Sequence, residues 1–356
     1  MQKRIIALTI TAALIAPAAM AETANVNVYG FIDGGMRSLR GAAAPSLAAP
    51  IGAANPGVTS NTFGSGTYNS NRWGIKGSED LGDGMQATFN LEGGFNTGTG
   101  AIEAATPNLF GRIATVGLIG GFGKVDLGRQ FTVSFKTINL YDPFRHNFIS
   151  ITNAFANINS PFYDNDISYT AKVGDLVVMA EHTVPGTGDD STSASALGLR
   201  YESGTIFAGA AYTATKPAAT SNQADKKHYT VGGGLKFGDG KVYAGYTKEE
   251  TTATGPTTTG KMVKNMWLGA SYDVSSKIGV TAAYYKNSTE AAATVATPAA
   301  ELIGSRLMVA GTYALSKRSK FYVEADKTTA EAQAAAGAAV TSYDSNGYSL
   351  GLAHTF

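Results

Sequence analysis

The residues of this chain whose types and spacing suggest chemistry are basic side chains placed at strand intervals. Arg72 and Lys76, in "NRWGIK", lie four residues apart, so both point to one face of an extended strand while Trp73 and Ile75 point to the other. Arg37 likewise lies opposite apolar neighbours. Cations on one strand face attract and orient anions without making or breaking bonds. The pattern therefore predicts a surface that interacts with ions.

The other reactive residues do not indicate bond-making chemistry. The chain has no cysteine, which excludes disulfides, thiolate metal sites and a cysteine nucleophile. "GGFGKV" lacks the glycine spacing and the Ser or Thr of a phosphate-binding loop, and Glu79 and Asp80 flank a turn where we expect them to be solvated. The histidines are His146, His182, His228 and His354, and the one G-x-S-x-G match, "GYSLG" (347–351), lies inside the alternating pattern of the closing segment rather than at a strand-to-helix turn. We therefore expect no enzymatic activity, no metal site and no cofactor.

The N-terminus has the pattern of a secretory signal peptide. A basic head "MQKR", an apolar stretch "IIALTITAALIAPA" and the small residues "AMA" predict removal of residues 1–21 by cleavage after Ala21. A membrane anchor is less favoured, because polar residues and Pro17 interrupt a run that is already short. Loss of Lys3 and Arg4 changes 28 basic and 27 acidic residues to 26 and 27. Without a basic surplus, we expect no nucleic-acid partner.

The remaining chain has the composition and periodicity of β-sheet. It contains 43 Gly, 16 Phe and 17 Tyr, and no apolar run approaches the length of a membrane-spanning helix. In "SEDLGDGMQATFNLEGGF" (78–95), a turn leads into alternation of polar Gln86, Thr88, Asn90 and Glu92 with apolar Met85, Ala87, Phe89 and Leu91. The closing "GYSLGLAHTF" alternates in the same way and ends on Phe356. One polar and one apolar face suit a strand between water and lipid.

Short and long connections alternate along the chain. Seven short ones, such as "GGFGK" (120–124) and "GDG" (238–240), are rich in turn residues, and eight long ones lie between them. This alternation predicts about 16 antiparallel strands, with both chain ends on the rim of the short turns. Residues 22–356 are therefore predicted to form a single all-β domain, a transmembrane antiparallel β-barrel. A β-sandwich or a β-helix fits less well, because crossovers would break the alternation and no fixed-period repeat is found.

Several segments resemble the general diffusion porins of Gram-negative outer membranes, in the neisserial and Bordetella-like branch. They are "VNVYGFIDGGM", "SNRWGIKGSEDLGDGMQATFNLEGGF", "GLIGGFGKVDLGRQ", "YDNDISYTA" and "GLAHTF". The resemblance implies a homotrimer of sixteen-stranded barrels in outer-membrane lipid, with short periplasmic turns and long outer loops. It also implies that each barrel holds a water-filled pore for passive diffusion of ions and small hydrophilic solutes, and that the third long loop folds into this pore.

The resemblance further implies an electrostatic filter in which basic wall residues face the third loop. The wall positions that match are Arg72, Lys76 and Arg129, and parity adds Arg37. On the loop, the candidates are Asp142, Lys136, Arg145 and His146. Arg129 shares its parity with Val125 and Leu127, so it would need a bulge to reach the pore, or else lies at a subunit interface. The parity of Arg112 is ambiguous, and the basic wall favours a weak preference for anions.

The third long loop, residues 131–162, is longer than a hairpin requires and unusually aromatic. Its large apolar side chains are Phe131, Phe135, Leu140, Tyr141, Phe144, Phe148 and Phe155. Such side chains gain by packing against the inner wall, so the composition itself favours an inserted, pore-constricting loop. A functional loop that faces outward is the alternative.

Two other functions remain open on the same scaffold. A substrate-specific channel would use aromatic side chains along the pore and would show saturating transport at low solute concentration. A surface adhesin would act through the outer loops, whose Ala-, Thr- and Gly-rich composition is not typical of a binding hot spot.

Overall fold

The computed structural model describes residues 25–41, 59–103, 108–148, 150, 160–184, 193–216, 224–252, 260–291, 300–333 and 340–356. The predicted signal peptide and its cleavage site lie outside these residues. Within the described ranges, no helix is long and apolar enough to span a bilayer.

Seventeen strands and one helix make up the described structure. In chain order the elements are β1 (Asn25–Gly41), β2 (Ser60–Ser65), β3 (Arg72–Gly82), β4 (Met85–Gly94), β5 (Ile113–Gly120), β6 (Gly123–Phe131), α1 (Val133–Tyr141), β7 (Phe162–Val173), β8 (Leu176–Thr183), β9 (Ser193–Glu202), β10 (Ile206–Lys216), β11 (Lys226–Phe237), β12 (Gly240–Thr251), β13 (Lys261–Asp273), β14 (Ile278–Ala291), β15 (Ala300–Ala314), β16 (Ser319–Gln333) and β17 (Val340–Thr355). Each of the seven predicted short turns joins two consecutive strands.

All strands belong to one antiparallel sheet that closes on itself. β1 pairs with β17 along one edge and with β2 and β3 along the other, so that β2 and β3 share one position in the sheet. The seventeen strands therefore occupy sixteen positions, as the alternation of connections predicts. Phe356 completes the closure, because its backbone N–H donates to the carbonyl oxygen of Gly30 at 3.1 Å. Asn25, the first described residue, and Phe356 lie on the rim of the short turns.

The two faces of the barrel wall differ in chemistry. On β16, Phe321 and Val323 are exposed on the outside, whereas Tyr322, Glu324 and Asp326 point inward and are buried. The same alternation on β4 points Phe89 outward and Glu92 inward, so this segment is the barrel strand that its pattern predicts. An apolar exterior around a polar interior is the arrangement that a bilayer requires.

The third long loop enters the barrel, as predicted. The loop begins with helix α1. Thr132 caps the N-terminus of this helix by accepting a hydrogen bond from the Phe135 N–H at 3.2 Å. The helix packs against the inner faces of β8–β12, where Gly198 lies against Val133 and Gly232 against Tyr141. Residues 149 and 151–159, including Phe155, lie outside the described part of the loop. The main apolar core therefore lies inside the barrel, between loop and wall.

Candidate pore constriction

Asp142 fixes the end of helix α1 to the barrel wall. Its Oδ1 accepts a hydrogen bond from the Tyr285 hydroxyl of β14 at 2.6 Å, and its Oδ2 accepts one from the His146 N–H at 2.7 Å. Its own N–H donates to the Ile138 carbonyl, which ends the helix. The side chain is fully buried. The prediction that Asp142 faces the pore is therefore wrong, because both carboxylate oxygens are used to anchor the loop.

Aromatic side chains continue this attachment around the inner wall. The Trp267 Nε1–H of β13 donates to the Tyr141 carbonyl at 2.9 Å, and the two rings stack at 5.7 Å. Further along the loop, the Phe148 ring meets Tyr68 edge-on at 4.9 Å and Tyr322 of β16 at 5.5 Å. The loop aromatics thus pack on the wall from β13 to β16, as their abundance predicts.

His146 and Lys136 also serve the packing of the loop. The His146 ring stacks on Phe135 at 4.1 Å, and burial lowers its pKa in spite of Asp142, so that the ring is neutral at neutral pH. The Lys136 Nζ donates to Gln130 Oε1 at 3.4 Å and faces the wall carboxylates, and burial lowers its pKa as well. The prediction that Lys136 faces the pore is wrong, since the helix turns its side chain toward the wall.

Arg145 is the loop cation that stays exposed. It adopts a left-handed backbone conformation with φ of 50°, and its N–H donates to the Asp142 carbonyl at 3.0 Å. The Asn139 amide donates to the Arg145 carbonyl at 3.1 Å. Its side chain is therefore free to interact with solutes, while its backbone is held by the turn.

Arg72 and Lys76 point into the barrel, as strand parity predicts. Arg72 is paired with Phe31 of β1, and its guanidinium lies 4.9 Å from the centre of that ring. Its Nη1 donates to the Ser70 carbonyl at 2.9 Å, which holds the guanidinium at the start of β3. The Lys76 Nζ lies 5.1 Å from the centre of the Tyr29 ring and makes no ion pair with any described residue. The structure does not test their role in ion selectivity, which stays a prediction.

Carboxylates on the inner wall compensate several of the arginines. Glu92 Oε1 accepts a hydrogen bond from Arg112 Nε at 2.7 Å, and Glu92 Oε2 lies 3.9 Å from Arg72 Nε. The side chain of Arg112, whose parity is ambiguous in the sequence, is thereby placed on the inside. The alternation in β4 puts Glu92 on the polar face, but nothing in the sequence identifies its two partners.

Arg37 lies at the centre of a second charged group. It points inward and contacts Glu324 at 3.0 Å and Asp326 at 2.7 Å, while Arg306 Nε lies 3.9 Å from Asp326. Sequence reasoning missed Glu324, Asp326 and Arg306. Their signal is the alternation of β15 and β16, which places all three on the inner face. The wall is therefore not a purely basic surface.

Arg129 occupies the outward parity of β6. It pairs with Ala114 and lies two residues from Leu127, which is exposed on the outside. The neighbouring register does shift between Gly128 and Gln130, but the Arg129 guanidinium is held at the strand end, where Nη1 contacts Asp164 at 2.6 Å. The prediction that Arg129 lines the pore is therefore wrong, because the residue keeps its outward parity and Asp164 holds its side chain at the rim. Among the described residues, no cluster of His, Asp and Glu is arranged to hold a metal ion.

Comparisons with known proteins agree with this architecture. A family model of Gram-negative porins matches residues 7–333. The chain is 32% identical to an outer membrane porin protein of Bordetella pertussis over 277 residues, which cover 70% of this chain and 69% of that protein.

Two solved structures share the fold. The anion-selective porin from Comamonas acidovorans gives a TM-score of 0.72 at 21% identity, over 94% of this chain and 100% of that chain. The outer membrane protein OmpT of Vibrio cholerae, in its trimer form, gives a TM-score of 0.65 at 15% identity, over 94% and 99%. At these identities the likeness establishes the fold alone. Since the family model covers most of its length, the chain belongs to the Gram-negative porin family and crosses the outer membrane as a sixteen-stranded β-barrel.

Proposed function

We propose that this chain forms a water-filled channel for passive diffusion of ions and small hydrophilic solutes, with a weak preference for anions. The single observation that carries the proposal is the inner surface itself, on which fixed charges of the wall lie opposite a loop folded inside a closed barrel. Such an arrangement lets solutes pass and lets fixed charges filter them. No step of this function needs a catalytic residue or a cofactor.

The preference is weak because most arginines of the inner wall are paired with carboxylates. The inward cations without such a partner among the described residues include Lys76, exposed Arg145 of the loop and Arg200, whose Nε has no hydrogen-bond partner. Arg200 lies on the inner face of β9, where the charges of Glu202 and Arg145 both act on it. A small positive excess attracts anions and still lets cations through.

The proposal includes a homotrimer in which each subunit has its own pore. The similar OmpT structure in trimer form supports this assembly, and the outer surface of β1 and β17 is apolar. Val28 of β1 and Leu350 of β17 are among the large apolar side chains exposed there. A neighbouring subunit or lipid would cover such a surface.

Planar-bilayer recording tests the function. We expect conductance steps in groups of three and a reversal potential that favours anions across a KCl gradient. Arg72→Ser and Lys76→Ser should each shift the reversal potential toward cations. Lys286→Ser is the matched control, because it removes one charge from the outer face of β14 and should leave the reversal potential unchanged.

Each alternative outcome has its own meaning. No discrete conductance from folded, heat-modifiable protein would refute the channel and would favour an adhesin. Flux that saturates at low concentration for one class of solute would favour a substrate-specific channel. Equal shifts in the Lys286 and Lys76 variants would refute the assignment of selectivity to the inner wall.

A further inference from the structure

A polar recess lies on the inner wall of the barrel. It has a volume of about 400 Å³ and is formed by β1 and β3–β6. We call it the β1–β6 recess and define it by Asn27, Lys76, Asn90, Thr115, Lys124 and Asp126. It lies nearer to the short-turn rim than Arg72, since Lys76 is four residues further along β3 toward that rim.

Four side chains of the recess form one continuous row across the strands. Asn27 pairs with Lys76, Lys76 with Asn90, and Asn90 with Thr115. Residues directly opposite each other on neighbouring strands share a face, with Cβ atoms about 5 Å apart. The row therefore presents an ammonium group, two amides and a hydroxyl to the same small volume.

Gly117, which has no side chain, leaves space in the recess between Thr88 and Asp126. It lies between Thr88 of β4 and Asp126 of β6 in the strand register. A methyl group at this position would overlap the Asp126 carboxylate and the Thr88 hydroxyl. Without that methyl group, both polar side chains can reach into the space beneath the row.

The charges of the recess leave one net positive charge. Lys124 is paired with Asp126 at 2.8 Å, whereas Lys76 lies over the Tyr29 ring and makes no ion pair with a described residue. The Tyr29 hydroxyl hydrogen is shared between Asn90 Oδ1 at 2.8 Å and Glu92 Oε2 at 2.9 Å, so the Asn90 oxygen faces Tyr29 and its amide nitrogen remains a donor. Two donors on adjacent strands suit the two oxygens of a carboxylate. The hydroxyls of Thr88 and Thr115 suit hydroxyl groups on the same molecule.

From this arrangement we infer that the β1–β6 recess is a binding subsite for small hydroxylated monocarboxylates, the class to which sugar acids belong. Lys76 and Asn90 hold the carboxylate, and the threonine hydroxyls with Asn27 bind the hydroxyl groups. The inference rests on the proposed channel and names a class of solute that this channel retains briefly on its way through. Binding is weak, because the recess is open to the water of the pore.

The test uses gluconate as the probe and the chloride current of the reconstituted full-length channel as the readout. Increasing gluconate should reduce the current along a saturating curve. Propionate, which has the charge without the hydroxyls, and glucose, which has the hydroxyls without the charge, should each need about tenfold higher concentration for the same effect. Lys76→Gln should raise the half-blocking concentration of gluconate about tenfold, since it removes a charge-assisted hydrogen bond.

Two further variants make the result specific. Lys320→Gln is the matched control, because Lys320 is also an inward lysine over a tyrosine ring, at 4.7 Å from the centre of Tyr68, and lies outside the recess. It should change the half-blocking concentration less than twofold. Thr115→Val keeps the side-chain shape and all charges, and should weaken the gluconate effect several-fold without moving the KCl reversal potential.

The outcomes separate this inference from the channel itself. If KCl conductance and anion preference are present but gluconate acts no more strongly than propionate, the subsite is refuted and the channel stands. The same conclusion follows if Lys76→Gln and Lys320→Gln have equal effects. If folded protein gives no conductance at all, the proposed function has failed before the subsite.

Discussion

Replacing Tyr285 by Phe should loosen the third loop without opening the barrel. The Tyr285 hydroxyl donates to Asp142 Oδ1 at 2.6 Å inside the buried core, where no solvent replaces a lost donor. A hydrogen bond to a charged group contributes about 2 kcal/mol, and a buried carboxylate oxygen left without a donor costs a similar amount. The free energy of local loop opening should therefore fall by about 2 kcal/mol. The strand ladder, which holds the barrel, is unchanged.

Hydrogen exchange followed by mass spectrometry measures this opening directly. When opening is fast relative to chemical exchange, 2 kcal/mol corresponds to about thirtyfold faster exchange. The amides that report it belong to Asp142, His146 and Phe148, whose N–H groups donate to Ile138, Asp142 and Tyr68. Amides in the β-strands should exchange at the wild-type rate.

The control is the neighbouring tyrosine on the same strand. Tyr284 points outward, is 47% exposed and has no described hydrogen bond to the loop. Tyr284→Phe should leave loop exchange unchanged. Should Tyr285→Phe alter exchange of the loop amides by less than twofold, Asp142 would not anchor the loop and the reasoning from its contacts would be refuted.

Three further perturbations address the loop and the wall. Burial lowers the pKa of His146, so the docked loop resists its protonation; loop stability should be full above about pH 6.5 and decline below it. Fluorescence of a variant whose sole tryptophan is Trp267 should report the decline, and His146→Gln should abolish its pH dependence. Gly232→Ala places a methyl group in the Tyr141 ring and should displace helix α1, seen as a shift in the same fluorescence at neutral pH. Arg37→Gln leaves the buried carboxylates of Glu324 and Asp326 without their main partner. The variant should lower the free energy of unfolding of the barrel by about 3 kcal/mol, measured by thermal unfolding. It should also shift the KCl reversal potential toward cations.

Strand periodicity explains why the sequence predicts so much of this fold. A period of two assigns each side chain to one of two faces, and lipid outside with water inside makes those faces chemically opposite. The inward placement of Arg72, Lys76 and Arg37 follows from this rule alone. The count of sixteen positions follows from the alternation of connections, because closure in lipid leaves no free edge. Neither the alternation of side chains nor the alternation of connections predicts that β2 and β3 share one position of the barrel.

Strand parity does not identify which side chains from distant parts of the sequence contact each other inside the barrel. Arg37 and Glu324 are 287 residues apart, and their contact exists only because β1 closes onto β17 next to β16. Parity fails completely outside the strands. In the third loop, Asp142 and Lys136 are polar residues in a segment expected to meet water, yet tertiary packing buries Asp142 and half-buries Lys136. Arg129 is the opposite case, since strand parity correctly assigns it to the outer face and only the family resemblance places it in the pore.

The path of the third loop decides which part of the wall can act on solutes. Helix α1 covers β8–β12, Trp267 and Tyr285 extend the contact over β13 and β14, and Phe148 reaches β16. The inner surface left facing the loop includes that of β3–β5, where Arg72 and Lys76 lie. The charges buried beneath the loop hold it in place, and those on the uncovered wall meet the passing ions. The loop is therefore anchored by residues such as Asp142 and Tyr285 that differ from Arg72 and Lys76, which face the pore.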